Sequence, residues 1–193
     1  MKTGLFFGSF NPIHLGHLMI AGYMLEFTDI DELWFVVSPH NPLKEKSELA
    51  DDFHRLEMVK LAIKEFSPKM QVCEIEMSLP KPSYTVNTLK VLKEKYPEKE
   101  FVVIMGSDSM DTIEKWKDYK TLLEENSIYV YPRLGSDLKE IEKKYPVTII
   151  NAPVIEISST FIRNSLKDNK NMEFFLPSKV LEYLQKNCIY KTL

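Results

Sequence analysis

Short apolar runs alternate with longer stretches of helical spacing along this chain, and that alternation restricts the fold more than any other feature. The runs 3–7, 32–38, 70–75, 101–105, 127–131 and 147–150 read as buried or half-buried strands. Between them, 15–27, 53–66, 86–96, 118–125 and 138–145 carry helical periodicity, and two further helices, 159–166 and 178–186, follow. In the helix expected over 53–66, Leu56, Val59, Leu61, Ile63 and Phe66 fall mostly on one side, with Glu57, Lys60 and Lys64 on the other. Strands alternating with helices imply an α/β fold, a parallel sheet covered on both faces. Right-handed crossovers then make it doubly wound. In such sheets ligands bind beyond the carboxyl ends of the strands, where the strand order reverses.

Local signals agree. Asp51 or Asp52 can cap the helix beginning near Phe53, and Pro97, Pro146 and Pro177 fall where a residue without a backbone N–H stops or precedes a helix. No repeat, low-complexity tract or linker divides the chain, so 1–193 reads as one domain, long enough to bury about 70% of its unfolded surface. The net charge of −3 argues against nucleic-acid or membrane-surface binding. Cys73 and Cys188 lie in no metal or redox spacing, and the apolar run at Leu5 is too short for a signal peptide or a membrane span. A cytoplasmic protein is expected, with a homo-oligomer left open.

The residues with chemistry begin at the end of the first strand, in Gly8-Ser9-Phe10-Asn11-Pro12-Ile13-His14-Leu15-Gly16-His17. Gly8 allows close backbone approach, and the N–H groups of the turn and of the next helix start can face an anion. The turn lacks both the Gly-Lys-Ser/Thr of a Walker loop and a GxGxxG. Instead it offers His14 and His17, three residues apart at a helix start, whose imidazoles can point into one pocket and stabilise charge in phosphoryl-type transfer. Gly16 between them leaves room for a base or ribose. Near the other end, Ser158 and Ser159 can cap a helix in Ile157-Ser158-Ser159-Thr160-Phe161-Ile162-Arg163, and Arg163 can reach phosphate oxygens with a forked cation.

The first segment resembles the signature G-[ST]-F-[DN]-P-x-H-x-G-H-[LI] of the nucleotidyltransferase superfamily with the T/HxGH motif. The second resembles its I-S-S-T-x-[IV]-R signature. Members of that superfamily are Rossmann-like adenylyl- and cytidylyltransferases that use Mg²⁺ and release pyrophosphate. Three middle segments narrow the resemblance to bacterial nicotinate-mononucleotide adenylyltransferases: Pro82-Ser83-Tyr84-Thr85-Val86-Asn87-Thr88-Leu89; Gly106-Ser107-Asp108 with Trp116 downstream; and Tyr131-Pro132-Arg133-Leu134-Gly135. The resemblance implies an ATP site made of Gly8, Ser9, Phe10, His14, Gly16, His17, Lys44, Gly106, Asp108, Ile157, Ser158, Ser159 and Arg163. His14, His17 and Arg163 would be catalytic.

Tyr84, Thr85, Trp116 and Arg133 would hold the acceptor, nicotinate mononucleotide. A flat pyridinium stacks well on an indole, and N–H groups at the helix start near Thr85 suit a carboxylate. No carboxylate cage for a metal is evident, so Mg²⁺ is expected to arrive with ATP. His40 lies in the same loop as Lys44, and Arg55 reads as helix surface, with a phosphate contact left open. Asn11 replaces the Asp of many relatives, which puts any role needing a carboxylate there in doubt. Rival readings are nicotinamide mononucleotide or phosphopantetheine as acceptor, and a nucleotide binder without activity.

Overall fold

The computed structural model describes residues 1–39 and 49–190. Its strands β1 (Lys2–Gly8), β2 (Glu32–Val37), β3 (Met70–Cys73), β4 (Glu100–Gly106), β5 (Ser127–Tyr131) and β6 (Thr148–Ile149) form one sheet in the order β3-β2-β1-β4-β5-β6. Every pairing is parallel. The helices are α1 (Leu15–Phe27), α2 (Asp52–Lys64), α3 (Thr85–Lys95), α4 (Ser107–Met110), α5 (Tyr119–Glu124), α6 (Leu138–Lys144), α7 (Ser159–Lys167) and α8 (Ser178–Lys186).

The two-residue period of the strands divides the interior in two. Phe6, Leu33, Phe35, Val37 and Ile104 face one core with the buried residues of α1, α2, α7 and α8. Leu5, Trp34, Val36, Val103 and Met105 face the other with those of α3, α5 and α6. Each fully buried large aliphatic side chain contributes about 1.5–3 kcal/mol. Both faces are therefore covered, as the near-continuous apolar strands require. The chain passes from β1 outward to β2 and β3, then returns to place β4 on the other side of β1. The switch point thus lies between the carboxyl ends of β1 and β4, at Gly8 and Gly106. No helix of the described residues is long and apolar enough to cross a membrane.

Two local expectations are corrected. The inward face of α2 is Arg55, Met58, Val59, Ala62 and Ile63, while Phe66 lies beyond the helix and is 52% exposed. Arg55 is therefore interior rather than helix surface. Asp51 occupies the N-cap position of α2 without capping through its side chain, and Asp52 instead pairs with Arg55 and Lys81. Three pieces escape periodicity because they span a single turn: the 3₁₀ turns Ile75–Ser78 and Ile113–Lys115, and α4.

Candidate active site

The turn after β1 is built tightly. Phe10 adopts a left-handed backbone (φ 44°), and its buried ring packs edge-on against Phe6, Phe35 and His17. Asn11 Oδ1 accepts hydrogen bonds from the Ala50 N–H (3.0 Å) and the Tyr190 hydroxyl. Both contacts need only an acceptor oxygen, which an amide supplies as well as a carboxylate.

His14 is the N-cap of α1 and His17 lies in its first turn, their rings stacked at 3.7 Å. His17 Nδ1 accepts from the His14 N–H (3.3 Å), so the neutral His17 ring carries its proton on Nε2. A side chain at Gly16 would be crowded: a Cβ there would lie 3.0 Å from His14 Nδ1 and 3.2 Å from Ile155 Cγ2. Gly16 thus lets the His14 ring approach α1 closely while itself lining the cavity described below.

His14 is buried, and its Nδ1 has no hydrogen-bond partner among the described residues. Burial, aided by the nearby Arg133 cation, pushes its pKa down to about 3. His14 is therefore neutral at pH 7, and two stacked imidazolium ions are avoided. The unfolded chain takes up this proton near pH 6.5 and the folded chain does not. The contribution is thus complete above pH 6.5 and is lost as pH falls towards 3. Urea unfolding of His14→Asn should show a stability-versus-pH slope shallower than the parent's by up to about 1.4 kcal/mol per pH unit in that window. Parallel slopes would refute a neutral His14.

The two terminal signatures are hydrogen-bonded to each other. Ser159 Oγ donates to the Pro12 carbonyl (2.9 Å), and Arg163 donates to the Asn11 carbonyl (3.0 Å) and the Thr160 hydroxyl (3.4 Å). Ser158 caps α7 by accepting from the Phe161 N–H (3.2 Å). At the end of β4, a Cβ on Gly106 would lie 2.4 Å from Asp108 Oδ1 and 3.0 Å from Arg133 Cγ, so only glycine lets both side chains approach. Arg133 donates to the Ile155 carbonyl (2.8 Å), with its Nε 3.8 Å from the Asp108 carboxylate.

These groups enclose a cavity of about 650 Å³, whose wall includes Gly8, Ser9, Phe10, His14, Gly16, His17, Gly106, Asp108, Ile157, Ser158, Ser159 and Arg163. A second cavity of about 520 Å³ is walled by Tyr84, Thr85, Glu76, Ser83 and Lys117. Both share Phe7, Gly8, Ser9, Asp108, Ser109 and Trp116, so they adjoin at the ends of β1 and β4. At the second cavity α3 starts without a side-chain cap. The N–H groups of Asn87 and Thr88 close on the Tyr84 carbonyl, while those of Thr85 and Val86 have no acceptor among the described residues.

Arg133 stands beside the histidines. β5 lies beyond β4, and Arg133 lines the first cavity with the histidines rather than the second with Tyr84 and Thr85. Lys44 and His40 lie outside the described residues. Among the described residues, no group of three or more His, Cys, Asp or Glu side chains could hold a metal ion.

Sequence reasoning overlooked Glu76 and Tyr190 and misplaced Arg55. A carboxylate between Ile75 and Met77, two residues after another at Glu74, is a weak signal for the first. A tyrosine that reaches Asn11 from near the chain's end gives no local signal.

Adjoining cavities at the switch point, one bearing paired histidines and arginines, fit the site expected of a nucleotidyltransferase. Residues 5–165 match the Cytidylyltransferase-like family model. The "probable nicotinate-nucleotide adenylyltransferase" of Flavobacterium johnsoniae is 54% identical over 99% of this chain and 100% of its own length. Its namesake in Bacteroides thetaiotaomicron is 45% identical over 96% of this chain and 92% of its own. A solved structure of the Plasmodium falciparum nicotinic acid mononucleotide adenylyltransferase complexed with NaAD shares the fold, with a TM-score of 0.84 at 24% identity over 98% of this chain and 97% of that one. The chain belongs to the nicotinate-nucleotide adenylyltransferases, within the cytidylyltransferase-like family.

Proposed function

We propose that this enzyme transfers AMP from ATP to nicotinate mononucleotide, giving nicotinate adenine dinucleotide and pyrophosphate. The supporting observation is the pair of adjoining cavities that meet at Gly8, Asp108 and Trp116. ATP takes the first, with its triphosphate toward His14, His17 and Arg163. Arg133, which lines that same cavity, adds a second cation there. Asp108 holds ribose hydroxyls. The acceptor takes the second, its ring against Trp116 and its carboxylate at the Thr85 and Val86 N–H groups, where the positive end of α3 favours an anion.

An oxygen of the acceptor 5′-phosphate attacks the α-phosphorus of ATP in line. The bond from that phosphorus to the bridging oxygen breaks, and pyrophosphate leaves with the electron pair. The acceptor phosphate is already ionised, so no protein nucleophile or base is required. The enzyme acts through placement and charge stabilisation. His17 donates its Nε2–H to the transferring phosphoryl group, neutral His14 adds a further hydrogen bond, and Arg163 neutralises the leaving pyrophosphate. Mg²⁺ belongs to this reading as part of the nucleotide substrate, since the described residues offer no cage for it.

Pyrophosphate release with ATP and, in separate reactions, nicotinate mononucleotide, nicotinamide mononucleotide and phosphopantetheine tests the proposal. Turnover should be fastest with the first. A carboxylate-binding site should discriminate against the amide by well over tenfold in kcat/KM. Preference for phosphopantetheine would overturn the assignment of the second cavity, and no release with any acceptor would leave a binding protein.

A further inference from the structure

Glu76 lines the second cavity although only 1% of its surface is exposed. It sits in the 3₁₀ turn Ile75–Ser78, where its Oε1 accepts a hydrogen bond from Thr88 Oγ1 (2.7 Å). Among the described residues its Oε2 meets no donor in good hydrogen-bond geometry, yet the Ser38 and Ser83 hydroxyls lie close enough to favour the charged carboxylate. Burial pushes the carboxyl's pKa up, and the neighbouring hydroxyls oppose that shift. A buried carboxyl met only by neutral hydroxyls is a poor stabilising element, and an apolar side chain would fill the same space at lower cost. Its partner indicates a different use.

Thr88 lies in the first helical turn of α3, the turn that opens with the cavity-lining Tyr84 and Thr85. Its hydroxyl proton has two acceptors within reach: Glu76 Oε1 at 2.7 Å and the Tyr84 carbonyl, within the same turn, at 3.3 Å. The shorter bond ties α3 to the segment after β3. Without Glu76 the hydroxyl reverts to Tyr84, which stays inside the helix start and anchors it to nothing.

Resting on the acceptor assignment above, we propose that Glu76 is a positioning residue of the acceptor subsite: it fixes the first turn of α3 through Thr88, and so fixes where the Thr85 and Val86 N–H groups meet the acceptor's carboxylate. The ATP cavity does not include Glu76. Its loss should therefore act on one substrate and spare the other.

Steady-state kinetics of the parent, Glu76→Ala and Glu76→Gln with ATP and nicotinate mononucleotide test this. Glu76→Ala should raise the KM for nicotinate mononucleotide about tenfold, the equivalent of one lost hydrogen bond, while the KM for ATP and kcat stay within about twofold. Glu76→Gln keeps an oxygen for Thr88 and should remain within about threefold of the parent. Thr88→Ala removes the tie from its other end and should raise the same KM, which covers the case of a poorly folded Glu76→Ala. An unchanged acceptor KM in both Glu76→Ala and Thr88→Ala, a parallel rise in both substrates' KM, or a Glu76→Gln as impaired as Glu76→Ala would overturn the inference. A parent inert toward nicotinate mononucleotide would overturn the acceptor assignment and this inference with it. An active parent with unshifted variants would overturn this inference alone.

Discussion

His17→Ala should lower kcat by about 10²–10³-fold, the usual effect of removing one donor that meets charge developing in a transition state. The KM for ATP should move little, because the lost hydrogen bond strengthens only as the α-phosphoryl group is transferred. The ring also has structural contacts. It stacks on His14 at 3.7 Å, packs edge-on to Phe10 at 5.1 Å and accepts from the His14 N–H. It is only half-buried, so their loss should cost about 1–2 kcal/mol, well short of unfolding the domain. Turnover and stability should therefore separate: pyrophosphate release collapses while the urea midpoint falls modestly. His17→Asn restores an acceptor for the His14 N–H without reaching as far, and should recover stability but not rate. A kcat within tenfold of the parent in His17→Ala would end the catalytic assignment of this residue.

Much of this arrangement is legible in the sequence because it is local. The strands read as apolar runs, and the helices read as periodic ones long enough to show a face. The strand order is not local, yet the doubly wound pattern together with a ligand-binding turn after β1 already locates the site at the strands' carboxyl ends. What the sequence could not display is partnership across distance. Ser159 reaching Pro12 and Arg163 reaching Asn11 join segments from opposite ends of the chain, and only the resemblance of each to a signature suggested that they belong together. Gly16 shows a second thing spacing cannot display: besides lining the cavity, it is kept small by the close approach of the His14 ring. Arg133 was assigned to the acceptor from a motif, which gives an order along the chain, while the cavity it lines is decided by which strand the segment follows. Arg55 was misread because a charged residue in an amphipathic helix is ordinarily assigned to the wet face.

That misreading carries the second large effect. Arg55→Met should destabilise the protein by about 3 kcal/mol or more, among the most damaging single changes away from the apolar core. Arg55 is fully buried, and all five of its N–H donors are used. Nε donates to the Ala50 carbonyl (3.0 Å), and Nη1 donates to those of Ser9 (2.7 Å) and Ser38 (2.8 Å). Nη2 donates to the Pro39 carbonyl (3.2 Å) and the Asp52 carboxylate. A guanidinium so engaged has no donor left for a phosphate. It is instead a clamp joining the ends of β1 and β2 to the start of α2, the backbone from which the first cavity is built.

Methionine matches the length of arginine but donates nothing, so several carbonyls lose their partner at once, each at about 1–3 kcal/mol where water cannot reach. The Asp52 part is smaller, because that carboxylate is a third exposed and keeps Lys81 at 2.9 Å. With an m-value of about 2 kcal/mol/M, the urea midpoint should drop by about 1.5 M. Arg55→Lys keeps the charge but has at most three donors and no fork, so it should fall between parent and Arg55→Met. Activity should fail with the clamp even where the chain stays folded, since Ser9 is held by the same nitrogen as Ser38. At a temperature where both proteins are fully folded, Arg55→Lys should therefore show reduced kcat/KM for both substrates, in contrast to the single-substrate effect expected at Glu76. An Arg55→Met variant within 1 kcal/mol of the parent would mean that the carbonyls find other donors, and the clamp would then have no energetic role.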